Sequence, residues 1–155
     1  MPTRSVSEIM TQPVATLAPD TTVPAAADEL AAHAVGAMPV VDANGQYLGL
    51  LRDDDLLVAD GNVHAPTMFY LLGAVIPLPG QMKHVEEELH KVAGQTVADV
   101  MDADAPTVTA DTSIEDVATL MHERGVTHVP VVDAARKVVG IVARGDVVRF
   151  IARTT

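Results

Sequence analysis

Between Asp111 and Gly125 the apolar residues Ile114, Val117, Ala118 and Met121 fall at i, i+3, i+4 and i+7, the spacing of one face of an amphipathic helix. Thr112 stands ahead of it with Glu115 three residues on, which predicts a capping box at its start. Gly125 marks its stop. The pattern then changes to two continuous apolar runs, Val129 to Val132 and Val138 to Val142, separated by the polar stretch 133–137. Short apolar runs around a polar turn predict a hairpin. Asp146 opens a further helix through Val147, Val148 and Ile151, while upstream a helical turn ends at Val100-Met101 and a short extended stretch covers Pro106 to Val108.

The same string of signals occurs earlier in the chain. Val40-Val41-Asp42 after Pro39 matches Val131-Val132-Asp133 after Pro130, and one constant offset also pairs Met10 with Met101, Asp20-Thr21 with Asp111-Thr112, Gly49 with Gly140 and Asp55 with Asp146. Roughly a quarter of the positions in 6–57 and 97–148 are identical in that ungapped register, which identifies an internal repeat. The first copy has the turn at Ile9-Met10, the extended stretch Val14 to Leu17 and the helix face Val23, Ala26, Ala27 and Leu30. Pro24 is compatible with a helix that starts near Thr22, because proline is tolerated only in a first turn. Asn44-Gly45 is a short hairpin signal. Each copy therefore reads as β-α-β-β-α, and the predicted class is α+β with two tandem repeats packed on one another. The predicted organisation is repeat 1 at 1–57, an insert with a linker helix at 58–96, and repeat 2 at 97–155.

With 155 residues and 48% hydrophobic content the chain can bury a real core, and at 3% aromatic residues that core is aliphatic. Absence of cysteine removes disulfides and thiolate metal sites, and fits a reducing, cytoplasmic setting. A formal charge of −11 and a pI near 4.7 argue against nucleic-acid binding, which calls for a basic stripe. No leader of the secretory type is expected. The most apolar window, Met68 to Ile76, is too short to span a bilayer, so no membrane insertion is expected. Residues 1–57 carry a net −6 and residues 97–155 only −3, which favours the last third for any anion.

The chain resembles a tandem pair of cystathionine β-synthase (CBS) domains, a Bateman module. The resemblance rests on Ile9-Met10 and Val100-Met101 and on the segments 107–114, 125–133 and 139–146. Weaker is the likeness of the insert to that of standalone bacterial proteins of this type. The resemblance implies a non-catalytic regulatory module with no required cofactor, which binds an adenosine-containing effector (AMP, ADP, ATP, NAD or S-adenosylmethionine) in clefts between the repeats. It also implies a homodimer paired through helices. In the family an Asp at the start of the last helix accepts from ribose hydroxyls; Asp55 and Asp146 match it. The family's Ser or Thr three residues earlier is replaced by Arg52 and Ala143.

Each candidate has a plainer reading beside the functional one. Asp146 caps a helix N-terminus whether or not a ligand is present, and a carboxylate also suits two vicinal hydroxyls. Arg144 is a phosphate contact near that N-terminus or a solvated arginine. Thr107, Thr127 and His128 flank the same place, and Val129 and Ile141 are an adenine wall or simply core. Asp53, Asp54 and Asp55 in the first copy repel phosphate, so the second copy is the expected site and the first is empty or takes a less anionic ligand. His84 and Glu88, one turn apart on an expected helix 82–93, have metal spacing without a third ligand, so no metal site is assigned. The alternatives are a ligand-independent dimerisation or docking module, or an accessory subunit of an ion transporter or channel; the downstream partner is not encoded in any pattern.

Overall fold

The computed structural model describes residues 3–57 and 95–154. Most of the expected insert, with its apolar run, the 82–93 helix and the His84/Glu88 pair, lies outside the described residues. The described elements are a 3-10 turn at Val6–Glu8, then α1 (Val23–His33), β1 (Ala37–Val41), β2 (Tyr47–Arg52), α2 (Asp53–Leu57), α3 (Val97–Val100), α4 (Ile114–Arg124), β3 (His128–Val132), β4 (Val138–Ala143) and α5 (Arg144–Thr154). Helices and strands mix as the α+β reading requires, with β1–β2 and β3–β4 as two small sheets.

The helix ends follow local chemistry. The Thr22 hydroxyl accepts from the Ala25 N–H at 3.3 Å, and Pro24 sits in the first turn of α1. At α4 the cap is Ser113, whose hydroxyl accepts from the Asp116 N–H at 3.0 Å. The expected Thr112–Glu115 box is therefore displaced by one residue. Thr112 instead closes the preceding turn, its hydroxyl accepting from the Thr109 N–H at 3.1 Å. Gly125 ends α4 at φ 62°, a conformation that glycine adopts without strain.

The chain divides into two compact units, and their boundaries cut across the repeats. One unit comprises Met1–Ala15, Val41–Leu48 and Asp104–Thr155. In it β3 and β4 pair antiparallel from His128 opposite Ala143 to Val132 opposite Val138. Val108 lies parallel to β3, donating to the Pro130 carbonyl at 3.1 Å and accepting from the Val132 N–H at 2.9 Å. On the other edge Thr11, from the opening segment of the first repeat, exchanges both backbone bonds with Ile141 at 2.8 and 3.1 Å. The core of this unit gathers Val6, Ile114, Val117, Met121, Val129, Val131, Val142 and Val147. Two hairpin turns also meet here: the Tyr47 N–H donates to the Arg136 carbonyl at 2.8 Å, and the Arg136 guanidinium lies 5.7 Å from the Tyr47 ring centroid.

The other unit comprises Thr16–Val40 and Gly49–Ala103. Its sheet is bordered by Leu17, which donates to the Pro39 carbonyl at 2.9 Å, and by Asp102, which exchanges both backbone bonds with Leu50 at 3.0 and 2.9 Å. Val97, from the opening of the second repeat, donates to the Thr21 carbonyl at 2.8 Å and is fully buried. Val23, Ala26, Ala27, Leu30, Met38, Val40, Leu50, Leu51 and Leu56 are buried in the same unit. The two opening segments are thus exchanged, each completing the unit that holds most of the opposite repeat. The expected first strand of each repeat shrinks to the single bridging residues Leu17 and Val108.

Glycine makes each exchange possible. A methyl group at Gly140 would stand 2.5 Å from the Met10 sulfur, and one at Gly49 would stand 2.9 Å from the Met101 sulfur and 3.0 Å from the Asp102 carbonyl oxygen. Gly49→Ala should therefore lower the unfolding free energy by about 1–3 kcal/mol in urea titration, because backbone blocks the new methyl. Gly140→Ala meets only the Met10 side chain, so its loss should be largely recovered in a Met10→Ala double variant. Equal recovery of both glycine variants by shortening the facing methionine would contradict these contacts.

Candidate functional site

The β3–β4 hairpin and α5 bring most of the expected site residues into one compact unit. Thr127 and His128 lead into β3, and the Thr127 hydroxyl lies 2.9 Å from His128 Nδ1. The Thr127 carbonyl accepts from the Arg144 N–H at 2.8 Å, which fixes the start of α5 beside the start of β3. His128 pairs with Ala143, Val129 with Val142 and Pro130 with Ile141. Val129 is fully buried in the core, whereas Ile141 is half-buried and holds Thr11. Thr107 is half-buried next to Val108, the residue bridged to β3. Asp55 belongs to the other unit.

Asp146 stands at the third position of α5, not at its first. Its Oδ2 reaches back to the N–H of Ala143, the residue before the helix, at 2.8 Å. That is the return half of a capping box and satisfies one orphan donor. Its Oδ1 is paired with the Arg149 guanidinium one turn along. The Asp146 side chain is 12% exposed and that of Arg149 is 64% exposed, so the carboxylate is fixed and its cation is free to turn into solvent.

Two grooves flank α5, and they separate residues that stand two apart in sequence. Asp146 lines a groove of about 370 Å³ with Arg4, Glu8, Ile9, Arg149, Phe150, Arg153 and Thr154. Arg144 and Thr127 line a second groove of about 340 Å³ between α4 and α5, with Met121, His122, Val126, Val147 and Val148 among its walls. Arg144 therefore does not share the Asp146 groove; helix positions two apart do not face each other. Three guanidinium groups take its place there. Arg149 and Arg153 follow Asp146 along one helix face, and Arg4 arrives with the exchanged opening segment, its guanidinium 5.6 Å from the Phe150 ring centroid and 3.8 Å from Glu8. Three cations against two carboxylates make this a cationic pocket in a chain of formal charge −11. The i, i+3, i+7 spacing of Asp146, Arg149 and Arg153 carries a readable signal for two of them; no local pattern announces Arg4.

The matching position in the other unit has different chemistry. Asp55 Oδ2 accepts from the Arg52 N–H at 2.8 Å, as Asp146 does from Ala143. Here the Arg52 side chain turns over the carboxylate, with Nε 3.8 Å from Asp55 Oδ2 and Nη2 2.8 Å from Asp102 Oδ2. Burial pushes the Asp55 carboxyl above its ordinary value; the Arg52 N–H and guanidinium pull the other way without reversing it.

The CBS domain profile matches residues 6–62 and 97–153. The chain belongs to the CBS domain family. Among curated proteins, this CBS pair is 32% identical over 148 residues to the chloroplastic CBS domain-containing protein CBSX1 of Arabidopsis thaliana, covering 94% of this chain and 63% of CBSX1. It is also 32% identical over 146 residues to YhcV of Bacillus subtilis, covering 92% and 81% of the two chains. The chain thus spans less than two thirds of the length of CBSX1. Among solved structures, CBSX2 in complex with AMP superposes with a TM-score of 0.73 at 30% identity over 97% of each chain. The CBS pair of MJ0100, in complex with 5′-methylthioadenosine and S-adenosyl-L-methionine, shares the fold at a TM-score of 0.73 and 23% identity, over 99% of this chain and 100% of that one. CBS pairs of this kind are generally regulatory modules without catalytic activity. No described helix is long and apolar enough to cross a membrane.

Asp55→Asn tests the buried carboxylate. Its raised folded-state pKa means that Asp55 favours the fold fully only below its ordinary value of 3.8 and loses that contribution as pH rises through the raised one. The melting-temperature difference, Asp55→Asn minus parent, should therefore grow from about pH 4 to about pH 7. A difference that shrinks over this range would contradict the sign of the shift.

Proposed function

We propose that this CBS pair is a non-catalytic sensor whose ligand is an adenosine phosphate, held in the groove lined by Asp146. The carrying observation is the pairing, in about 370 Å³, of one fixed carboxylate with three exposed guanidinium groups. A carboxylate accepts from both hydroxyls of a ribose diol, and guanidinium groups bind phosphate through paired, charge-assisted bonds. The groove lies within the size range of small-molecule pockets. Arg4 and Arg153 supply phosphate contacts, while Arg149 gives up Asp146 Oδ1 to the ribose and turns to the phosphate. Thr127 lines the second groove, and Thr107, His128, Val129 and Ile141 are not among the walls of this one, so none of them is a ligand contact. The AMP complex of CBSX2 supports this ligand class; the cations of the groove favour a phosphate-bearing ligand over the sulfonium of S-adenosylmethionine.

Thermal unfolding with a reporter dye, run with AMP, ADP, ATP, NAD and S-adenosylmethionine, tests the reading. A ligand at about 100 times its Kd adds about 2.7 kcal/mol of stability. The phosphate-bearing ligands should raise the melting temperature, Asp146→Ala should abolish the shift, and Arg4→Ala or Arg153→Ala should weaken binding about tenfold each. Retention of the full shift in folded Asp146→Ala would overturn the assignment.

We also infer a homodimer that uses the outer face of α5, because Val148 and Ile151 are 58% and 52% exposed one turn apart. Exposed apolar pairs on a helix favour burial against a partner. Light scattering at micromolar concentration should give twice the chain mass for the parent and the single mass for Ile151→Glu; a parent monomer would rule the pairing out.

A further inference from the structure

We propose that Arg52 makes the two repeats unequal: its half-buried guanidinium, bonded to Asp102 and lying over Asp55, is a clamp that is costly to displace, whereas the exposed Arg149 that pairs with Asp146 is not, so the chain takes one adenosine-bearing ligand and not two. The inference rests on the reading of Asp146 as the ribose acceptor.

The backbone around the two aspartates is the same. Asp55 and Asp146 each accept from the N–H three residues earlier at 2.8 Å. Leu50 exchanges backbone bonds with Asp102 as Ile141 does with Thr11, in the register of the sequence repeat. Only the side chains differ. Where one unit has Ala143 and Thr11, the other has Arg52 and Asp102, joined at 2.8 Å. Arg52 is 21% exposed, Asp55 16% and Asp102 34%, so this is a half-buried triad and not a surface pair.

The cost of displacing the two cations differs accordingly. Arg149 can swing from Asp146 into water, because it is mostly exposed. Arg52 cannot leave without taking the nearby cation from the poorly exposed Asp55 and breaking its bond to Asp102, and a neutral ribose diol brings no charge to replace it. Breaking such a pair from one side is strongly unfavourable. Asp53 and Asp54, both exposed beside Asp55, add repulsion for any phosphate.

Exchange of the side chains between the units is the test. Arg52→Ala with Asp102→Thr gives the second position the residues of the first and removes both charges together. Calorimetric titration with adenosine, which carries no phosphate for Asp53 and Asp54 to repel, should show one site per parent chain and two in this double variant. The reciprocal variant, Ala143→Arg with Thr11→Asp, should lose AMP binding by at least about tenfold. Circular dichroism checks that each variant folds. Should either variant fail to fold, a structure of the parent soaked in saturating AMP decides the matter. Nucleotide beside Asp146 alone, with Arg52 in place, supports the clamp; nucleotide beside Asp55 overturns it. A double variant that still binds one adenosine overturns the role of Arg52 while leaving Asp146 intact. Binding by the double variant with none by the parent supports the clamp and removes Asp146 as the acceptor, and no binding by either removes both.

Discussion

Two backbone pairings, Thr11 with Ile141 and Asp102 with Leu50, hold the architecture together. A two-stranded hairpin is marginal in water, and its outer edge presents unpaired N–H and C=O groups. Each hairpin here is closed on one side by a single bridge from its own repeat and on the other by the opening segment of the opposite repeat. Val6 and Val97, fully buried behind those bridges, turn each exchange from a hydrogen-bonded edge into part of a core. Neither unit is whole until both ends of its chain segments are present. Long-range pairing of this kind places contacts late in sequence, and such topologies are intrinsically slow to assemble.

On this duplicated frame the chemistry is not duplicated. The backbone that positions Asp55 positions Asp146 in the same way, yet one carboxylate sits in a triad with Arg52 and Asp102 and the other opens on a groove with Arg4, Arg149 and Arg153. The exchange itself contributes to this difference, because the residue that faces each hairpin edge comes from the other repeat. Thr11 and Asp102 thereby set the charge around Ile141 and Leu50, although each lies far away in sequence.

Much of the fold was legible because its signals are local. The spacing of Val23, Ala26, Ala27 and Leu30 and of Ile114, Val117 and Met121 marks the buried faces of α1 and α4, Gly125 marks the stop of α4, and Asn44-Gly45 marks the turn between β1 and β2. The cap of α4 was misplaced by one residue because Thr112 and Ser113 both carry a capping hydroxyl, and only the turn at Thr109 decides between them. The exchange was not legible. Two similar opening segments read identically wherever they dock, so local pattern carries no information on which repeat receives which. Arg4 carries no local signal for that reason, and the expectation for Arg144 rests on the helix N-terminus alone, whereas the Asp146 groove lies on the helix face of Arg149 and Arg153.

Arg4 and Arg153 stand near opposite ends of the described chain and line the same groove. Arg4 enters that groove on a segment docked by backbone bonds, its carbonyl accepting from the Ile114 N–H at 3.0 Å and Val6 donating to the Thr112 carbonyl at 2.8 Å. One wall of the cationic pocket is thus placed by contacts that lie outside the pocket, and a substitution that loosens the Thr11–Ile141 bridge would alter the groove without touching any residue that lines it.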